Sequence, residues 1–217
     1  MFRVVGLSIQ ERCFAGDGEF LIRAFVAIEL PDELRHALAA VQTRLKERLA
    51  YAANSSVRVQ WVRPESMHLT LKFLGDIDEA QVPAIGEALE GIARGQSAFV
   101  VEASGAGVFP DLRAPRIVWA GLTGAADRLT QLAAAVESAL TPLGVPAESN
   151  LFAPHLTIAR VKEGQRELGR ALASGNMLEQ VGRVGALPIR ALALMKSELR
   201  ASGSIYTCLR EARLKEA

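Results

Sequence analysis

The sequence predicts a mixed domain of helices and strands, built from two similar halves. Short apolar runs bounded by turn residues indicate strands, and longer runs with apolar residues three or four apart indicate amphipathic helices. One pattern occurs twice, His68-Leu69-Thr70-Leu71 and His155-Leu156-Thr157-Ile158, each time in a predicted strand shortly after a proline. A repeated motif of this kind indicates an internal duplication.

The first half begins with an apolar strand that ends at Pro31. Pro31 suits the first turn of a helix, and Asp32 and Glu33 favour the positive end of the helix dipole. A Gly/Pro-rich loop separates the last two strands of this half. The predicted strands are 22–30, 57–62, 67–75, 99–103 and 117–120, and the predicted helices are 31–50 and 76–93.

The second half repeats the order of helix, proline-containing turn and motif strand. Its first helix carries an apolar stripe, and a turn-rich linker leads from it to the second motif. A glycine-containing turn at 201–203 joins the last two strands. The predicted helices are 125–141 and 165–174, and the predicted strands are 152–161, 191–200 and 204–209.

Composition restricts the function classes. Lys and Arg total 25 against 24 Asp and Glu, a net charge of +1, so any contact with nucleic acid must be local rather than a broad basic face. The two cysteines have no metal-site spacing and predict reduced thiols, and no run is long and apolar enough to span a membrane. We expect a cytoplasmic protein with one domain over 22–217, preceded by an extension of unknown role over 1–21.

The repeated motif places a histidine and a threonine on the same face of a strand, because residues two apart point the same way. The intervening leucine then points into the core. By the same alternation, Lys72 is in phase with His68 and Thr70 and is a candidate substrate-binding residue, whereas the second copy has Ala159 there. If the two halves face each other about a pseudo-two-fold axis, two imidazoles and two hydroxyls converge on one cleft.

This set of groups suits cleavage of a phosphodiester by acid–base catalysis. One neutral histidine accepts a proton from water, and one protonated histidine donates a proton to the leaving oxygen. The threonines Thr70 and Thr157 can donate hydrogen bonds to the phosphate oxygens. Two alternatives stay open: strand histidines that only bond backbone, and a zinc site, although no carboxylate or cysteine lies in phase with either histidine.

At these residues the chain resembles the two-histidine phosphoesterase superfamily, specifically the RNA 2′,3′-cyclic phosphodiesterases, also called 2′-5′ RNA ligases. The resemblance also rests on RAFVAIELP, WVRPESMHLTLKFLG, FAPHLTIAR and SELRASGSIYTCL. It implies an α+β bilobal fold, with two pseudo-symmetric lobes, antiparallel sheets lining a central cleft and helices outside. It also implies no cofactor and no metal, RNA ends or nucleoside 2′,3′-cyclic phosphates as substrates, and no obligate protein partner.

The resemblance implies a role for each site residue. His68 would be the proton donor to ribose O3′ and His155 the proton acceptor from water, an order that the sequence alone does not fix. Arg160 matches a phosphate-binding position, although simple alternation points it away from Thr157 unless a bulge redirects it. Two further candidates, Phe109 and Phe152, could stack a base or simply pack. Ligation through a 2′-5′ linkage and nucleotide binding without turnover are the alternative functions.

Overall fold

The computed structural model describes residues 20–52, 56–148, 151–200 and 203–216, which form nine strands and four α-helices. The strands are β1 (Leu21–Glu29), β2 (Arg58–Trp61), β3 (His68–Asp78), β4 (Phe99–Phe109), β5 (Ile117–Gly124), β6 (His155–Glu163), β7 (Arg183–Ile189), β8 (Ala191–Arg200) and β9 (Gly203–Arg213). The helices are α1 (Asp32–Ala52), α2 (Val82–Gly95), α3 (Ala126–Leu140) and α4 (Gln165–Ser174).

The strands form one sheet in the order β7-β4-β5-β6-β3-β1-β8-β9, with β2 paired to β6. The ladders between these strands are antiparallel. The sheet therefore has two four-stranded halves, β3-β1-β8-β9 and β6-β5-β4-β7, which meet where β3 pairs with β6 at Leu69 and Leu156. This arrangement agrees with the predicted α+β fold of two similar lobes.

The helices cover one face of the sheet and form the main core with it. In α1, the predicted stripe of Leu34, Leu38, Val41 and Leu45 is buried. Apolar residues of β3 and β6, among them Leu69 and Leu156, belong to the same cluster. The opposite face carries a small separate cluster of Phe25, Ala27, Ala193 and Met195. We call this opposite face the open face.

Three elements of the structure differ from the prediction. The helix predicted to begin at Asp76 begins at Val82, because β3 continues to Asp78, whose carboxylate accepts the Ala80 backbone N–H and caps a short 3₁₀ turn. Strand β4 continues into the segment predicted as a Gly/Pro-rich loop. Strand β7 was not predicted. It lies at the edge of the sheet. Pro188 is tolerated there because an edge strand does not need the backbone N–H that a proline lacks for pairing with a second strand.

The predicted boundary at residue 22 lies next to Leu21, where β1 begins. Most of the predicted extension over 1–21 lies outside the described residues, so its role stays a prediction. Of the helices in the described ranges, none is long and apolar enough to cross a membrane.

Candidate active site

The two motifs lie on neighbouring strands. Around the Leu69–Leu156 pair, the antiparallel direction sets His68 across from Thr157 and His155 across from Thr70. Both leucines are buried beneath the helices, so the four polar residues belong to the open face and are half-buried. The structure thus brings together the four residues that the sequence predicted to be catalytic.

Each histidine ring is held by a backbone carbonyl two residues earlier. Nδ1 of His68 lies 2.9 Å from the Ser66 carbonyl oxygen, and Nδ1 of His155 lies 2.7 Å from that of Ala153. A carbonyl oxygen only accepts, so each Nδ1 carries the hydrogen and donates it. In both rings Nε2 is then the atom that can accept or donate a proton in a reaction.

The two histidines differ in their surroundings. The ring centre of His68 lies 4.7 Å from that of Phe25 and 5.0 Å from that of Tyr206. Desolvation by burial lowers the pKa of His68 to about 4, the Ser66 hydrogen bond opposes this change, and the positive charge of Arg160 adds to it. The ring of His155 meets that of Phe109 edge-on, with the ring centres 5.0 Å apart.

A bulge redirects Arg160 onto the open face. Val118 pairs with Ala159 and Trp119 with Thr157, so Ile158 is the extra residue in β6. An extra residue reverses the alternation beyond it, and Arg160 is accordingly exposed and lines the same cavity as His68. The bulge that the sequence analysis required for this arginine is therefore present.

The first copy has a bulge at the matching position, and it makes the prediction for Lys72 wrong. Val26 pairs with Lys72 and Ala27 with Thr70, which leaves Leu71 as the extra residue. The bulge turns Lys72 away from the open face, where its Nζ donates to Glu137 Oε2 at 2.7 Å and to the Pro146 carbonyl at 2.9 Å. With 1% of its surface exposed, Lys72 joins β3 to α3 instead of binding substrate.

Phe73 takes the place on the open face that alternation had given to Lys72. It is 57% exposed and lines the cavity beside His68. It stands five residues after the motif histidine, as Arg160 does in the second copy. Aligning the two copies could have identified it, whereas nothing in the local sequence marks Phe25 or Tyr206 as neighbours of His68.

Gln42 of α1 is a second residue that the sequence analysis missed. It is a buried polar residue, 3% exposed, and its Nε2 donates to the carbonyls of Val62 and Ile158 at 2.8 and 2.7 Å. The Ile158 carbonyl also accepts the Val62 N–H. Because Ile158 is the bulged residue, Gln42 fixes the backbone that turns Arg160 towards the cavity.

The two candidate stacking residues lie in different environments. Phe109 packs between His155 and Trp119, with ring centres 5.0 and 5.2 Å away. Phe152 is half-buried and packs against the main core. The lining of the cavity beside His68 includes neither of them, so Phe73 is better placed to meet a base.

The cavity beside His68 has a volume of about 620 Å³, within the usual range for ligand sites. Its lining combines aromatic, basic and small polar side chains from both halves, including Phe25, Gln60, Arg160, Lys162 and Tyr206. Across the described ranges, no three or more His, Cys, Asp or Glu side chains are grouped to hold a metal ion.

Known proteins resemble this chain in sequence and in fold. The family described as LigT like Phosphoesterase matches residues 28–119 and 122–206. A protein of Aquifex aeolicus named RNA 2′,3′-cyclic phosphodiesterase is 35% identical over 76% of this chain and 87% of its own length. A protein of Methanothermobacter thermautotrophicus with the same name is 33% identical over 89% of this chain and 99% of its own. The crystal structure of TT0787 from Thermus thermophilus matches with a TM-score of 0.72 at 27% identity, covering 90% of this chain and 99% of that one.

Proposed function

We propose that this chain, which belongs to the LigT-like phosphoesterase family, hydrolyses the 2′,3′-cyclic phosphate at an RNA end to a 2′-phosphomonoester. The observation that carries the proposal is the diagonal arrangement of His68, Thr70, His155 and Thr157 on the open face. The relatives that bear the corresponding enzyme name support the choice of substrate.

In this reaction His155 Nε2 accepts a proton from water as the water oxygen attacks phosphorus. The bond from phosphorus to O3′ breaks, and O3′ takes a proton from Nε2 of His68. The hydroxyls of Thr70 and Thr157 donate to the non-bridging oxygens, and the Arg160 guanidinium offsets the negative charge that develops there. No step needs a metal ion.

The low pKa of His68 adds a condition to its role as the acid. The unliganded enzyme holds His68 neutral near pH 7, because burial lowers its pKa to about 4. A cyclic phosphate brings a negative charge beside the ring, which favours the protonated form. His68 therefore takes up its proton together with the substrate.

The test is incubation with a nucleoside 2′,3′-cyclic phosphate, followed by ³¹P NMR. We expect the 2′-phosphomonoester as the product. The matched control is the double variant His68→Ala/His155→Ala, which should give only the uncatalysed rate. Binding without turnover by the unmodified protein would reject the enzyme proposal, and a 3′-phosphomonoester would reject the assignment of O3′ as the leaving group.

A further inference from the structure

Among the residues that the structure describes, the lining of the cavity beside His68 includes four cationic side chains and no carboxylate. The four are Arg23, Arg160, Lys162 and Arg200. Over the whole sequence, 25 Lys and Arg are nearly balanced by 24 Asp and Glu. A random sample of this surface would therefore carry both signs about equally. The segregation of positive charge into one concave site indicates an anionic ligand.

One of the four, Arg160, follows the bulge beside the catalytic groups, and the cyclic phosphate accounts for it. The other three, Arg23, Lys162 and Arg200, are called the outer cations. Arg23 lies two residues along β1 from Phe25, roughly 7 Å at the usual rise of a strand. Arg200 ends β8, and Lys162 lies on β6 of the other half of the sheet. The outer cations thus approach the cavity from both halves.

We infer that the outer cations bind the phosphodiester that joins the last two nucleotides of the substrate. This inference rests on the proposed function, because an RNA end carries that second negative charge one ribose away from the cyclic phosphate. The exposed side chains of Phe73 and Leu199 line the same cavity and give bases an apolar surface. The preferred substrate is accordingly an oligonucleotide end and not a mononucleotide.

Two carboxylates near the outer cations are compatible with this role. Glu198 accepts from Arg200 at 3.1 Å, and Asp76 is the cross-strand partner of Arg23. Neither carboxylate lines the cavity. A guanidinium has five N–H donors, so a pairing with one carboxylate leaves donors for a phosphate.

The experiment compares kcat/KM for three substrates: adenosine 2′,3′-cyclic phosphate, a diadenosine with a terminal 2′,3′-cyclic phosphate, and the same diadenosine with an uncharged methylphosphonate linkage. We expect the charged dinucleotide to be preferred over both others. Replacing each outer cation by Ala should lower the ratio of dinucleotide to mononucleotide kcat/KM by up to about fivefold. With rising salt, log(kcat/KM) for the dinucleotide should fall more steeply, by a slope of about 0.7 per bound phosphate.

Arg94→Ala is the matched control, because it removes an exposed arginine of α2 whose carboxylate partner Glu90 lies 3.7 Å away. It should leave all three rates unchanged. Equal kcat/KM for mononucleotide and dinucleotide would overturn the inference while leaving the proposed function intact. A preference that persists with the methylphosphonate would assign the gain to base contacts and would also overturn it. Hydrolysis of none of the substrates would reject the proposed function itself.

Discussion

In the variant His155→Ala, the residual kcat/KM should fall as the pH rises. An enzyme that uses one histidine as acid and another as base instead has a rate that falls on both sides of an optimum. The variant leaves His68 as the titrating histidine of the cleft, with a pKa of about 4 in the unliganded protein. The profile of kcat/KM reports the free enzyme. If His68 is the acid, the residual rate should fall tenfold for each pH unit above this pKa.

The size of the effect follows from the burial of His68. Three pH units above its pKa, about one molecule in a thousand carries the proton, which corresponds to roughly 4 kcal/mol. The residual kcat/KM should therefore be about a hundredfold lower at pH 7 than at pH 5. Loss of the positive charge that His155 can carry would move the limb slightly towards higher pH, since that charge lowers the pKa of His68.

The assay follows adenosine 2′,3′-cyclic phosphate by HPLC from pH 4 to 8, with the double variant His68→Ala/His155→Ala as the blank. Residual activity about 10²–10⁴-fold below the unmodified enzyme is expected. Adding Tyr206→Ala should move the limb towards higher pH, because the ring of His68 then becomes more solvated. A flat profile from pH 5 to 8 would make His68 the base and exchange the two roles, and a limb near pH 6.5 would refute the burial argument.

Three further predictions concern the two threonines, the independence of the reaction from metal ions, and Gln42. Thr70→Ala and Thr157→Ala should each lower kcat/KM by about tenfold to a hundredfold, the effect of one hydrogen bond to a charged oxygen, and Ser at either position should restore part of it; Ser variants no better than Ala would indicate a packing role. Activity should be unchanged in excess EDTA, and a loss reversed by a divalent ion would contradict the scheme. Gln42→Leu should lower the free energy of unfolding by about 1–3 kcal/mol and reduce kcat/KM, because two carbonyls lose a donor. Denaturant titration and kinetics measure the two effects, with Thr43→Ala on the same helix as the control. A Gln42→Leu variant with unchanged kcat/KM would reject the role of Gln42 in positioning Arg160.

The features that the sequence predicted correctly depend on local pattern. The stripe of Leu34, Leu38, Val41 and Leu45 predicted α1 because helical spacing is set within one segment. The alternation of polar and apolar residues likewise gave the faces of His68 to Thr70. Each of these inferences needed only neighbours in the chain.

The features that the sequence could not give depend on neighbouring strands. The position of Lys72 was wrong because a bulge is a property of a strand pair: the extra residue at Leu71 is defined by the Val26 and Ala27 partners in β1. Tyr206 lies far along the chain from His68, and only the order of β1, β8 and β9 brings its ring there. The lowered pKa of His68 depends on burial by such neighbours, so the sequence alone could not predict it.

The two copies of the motif share their polar residues and their bulge but differ in the surroundings of the histidine. Both copies keep the histidine, the threonine and the bulge that follows. One phosphate must be attacked from one side while its leaving group departs from the other, so one histidine must be neutral and the other protonated. Two equivalent histidines would carry the proton on the wrong ring as often as on the right one. The buried setting of His68 beside Phe25 and Tyr206 removes that equivalence.

The position five residues after each histidine also differs between the copies. Arg160 and Phe73 both line the cavity beside His68, so one copy of the motif contributes a guanidinium there and the other an apolar ring. The backbone at each bulge is held by a helix that packs on the same half of the sheet as the bulged strand, since α1 packs against β7 and α3 packs against β3. Gln42 of α1 binds the backbone of β6, and Glu137 of α3 binds Lys72 of β3. Each half of the sheet thus fixes the residue that follows its own bulge, so the position of Arg160 depends on α1 and the position of Phe73 depends on α3.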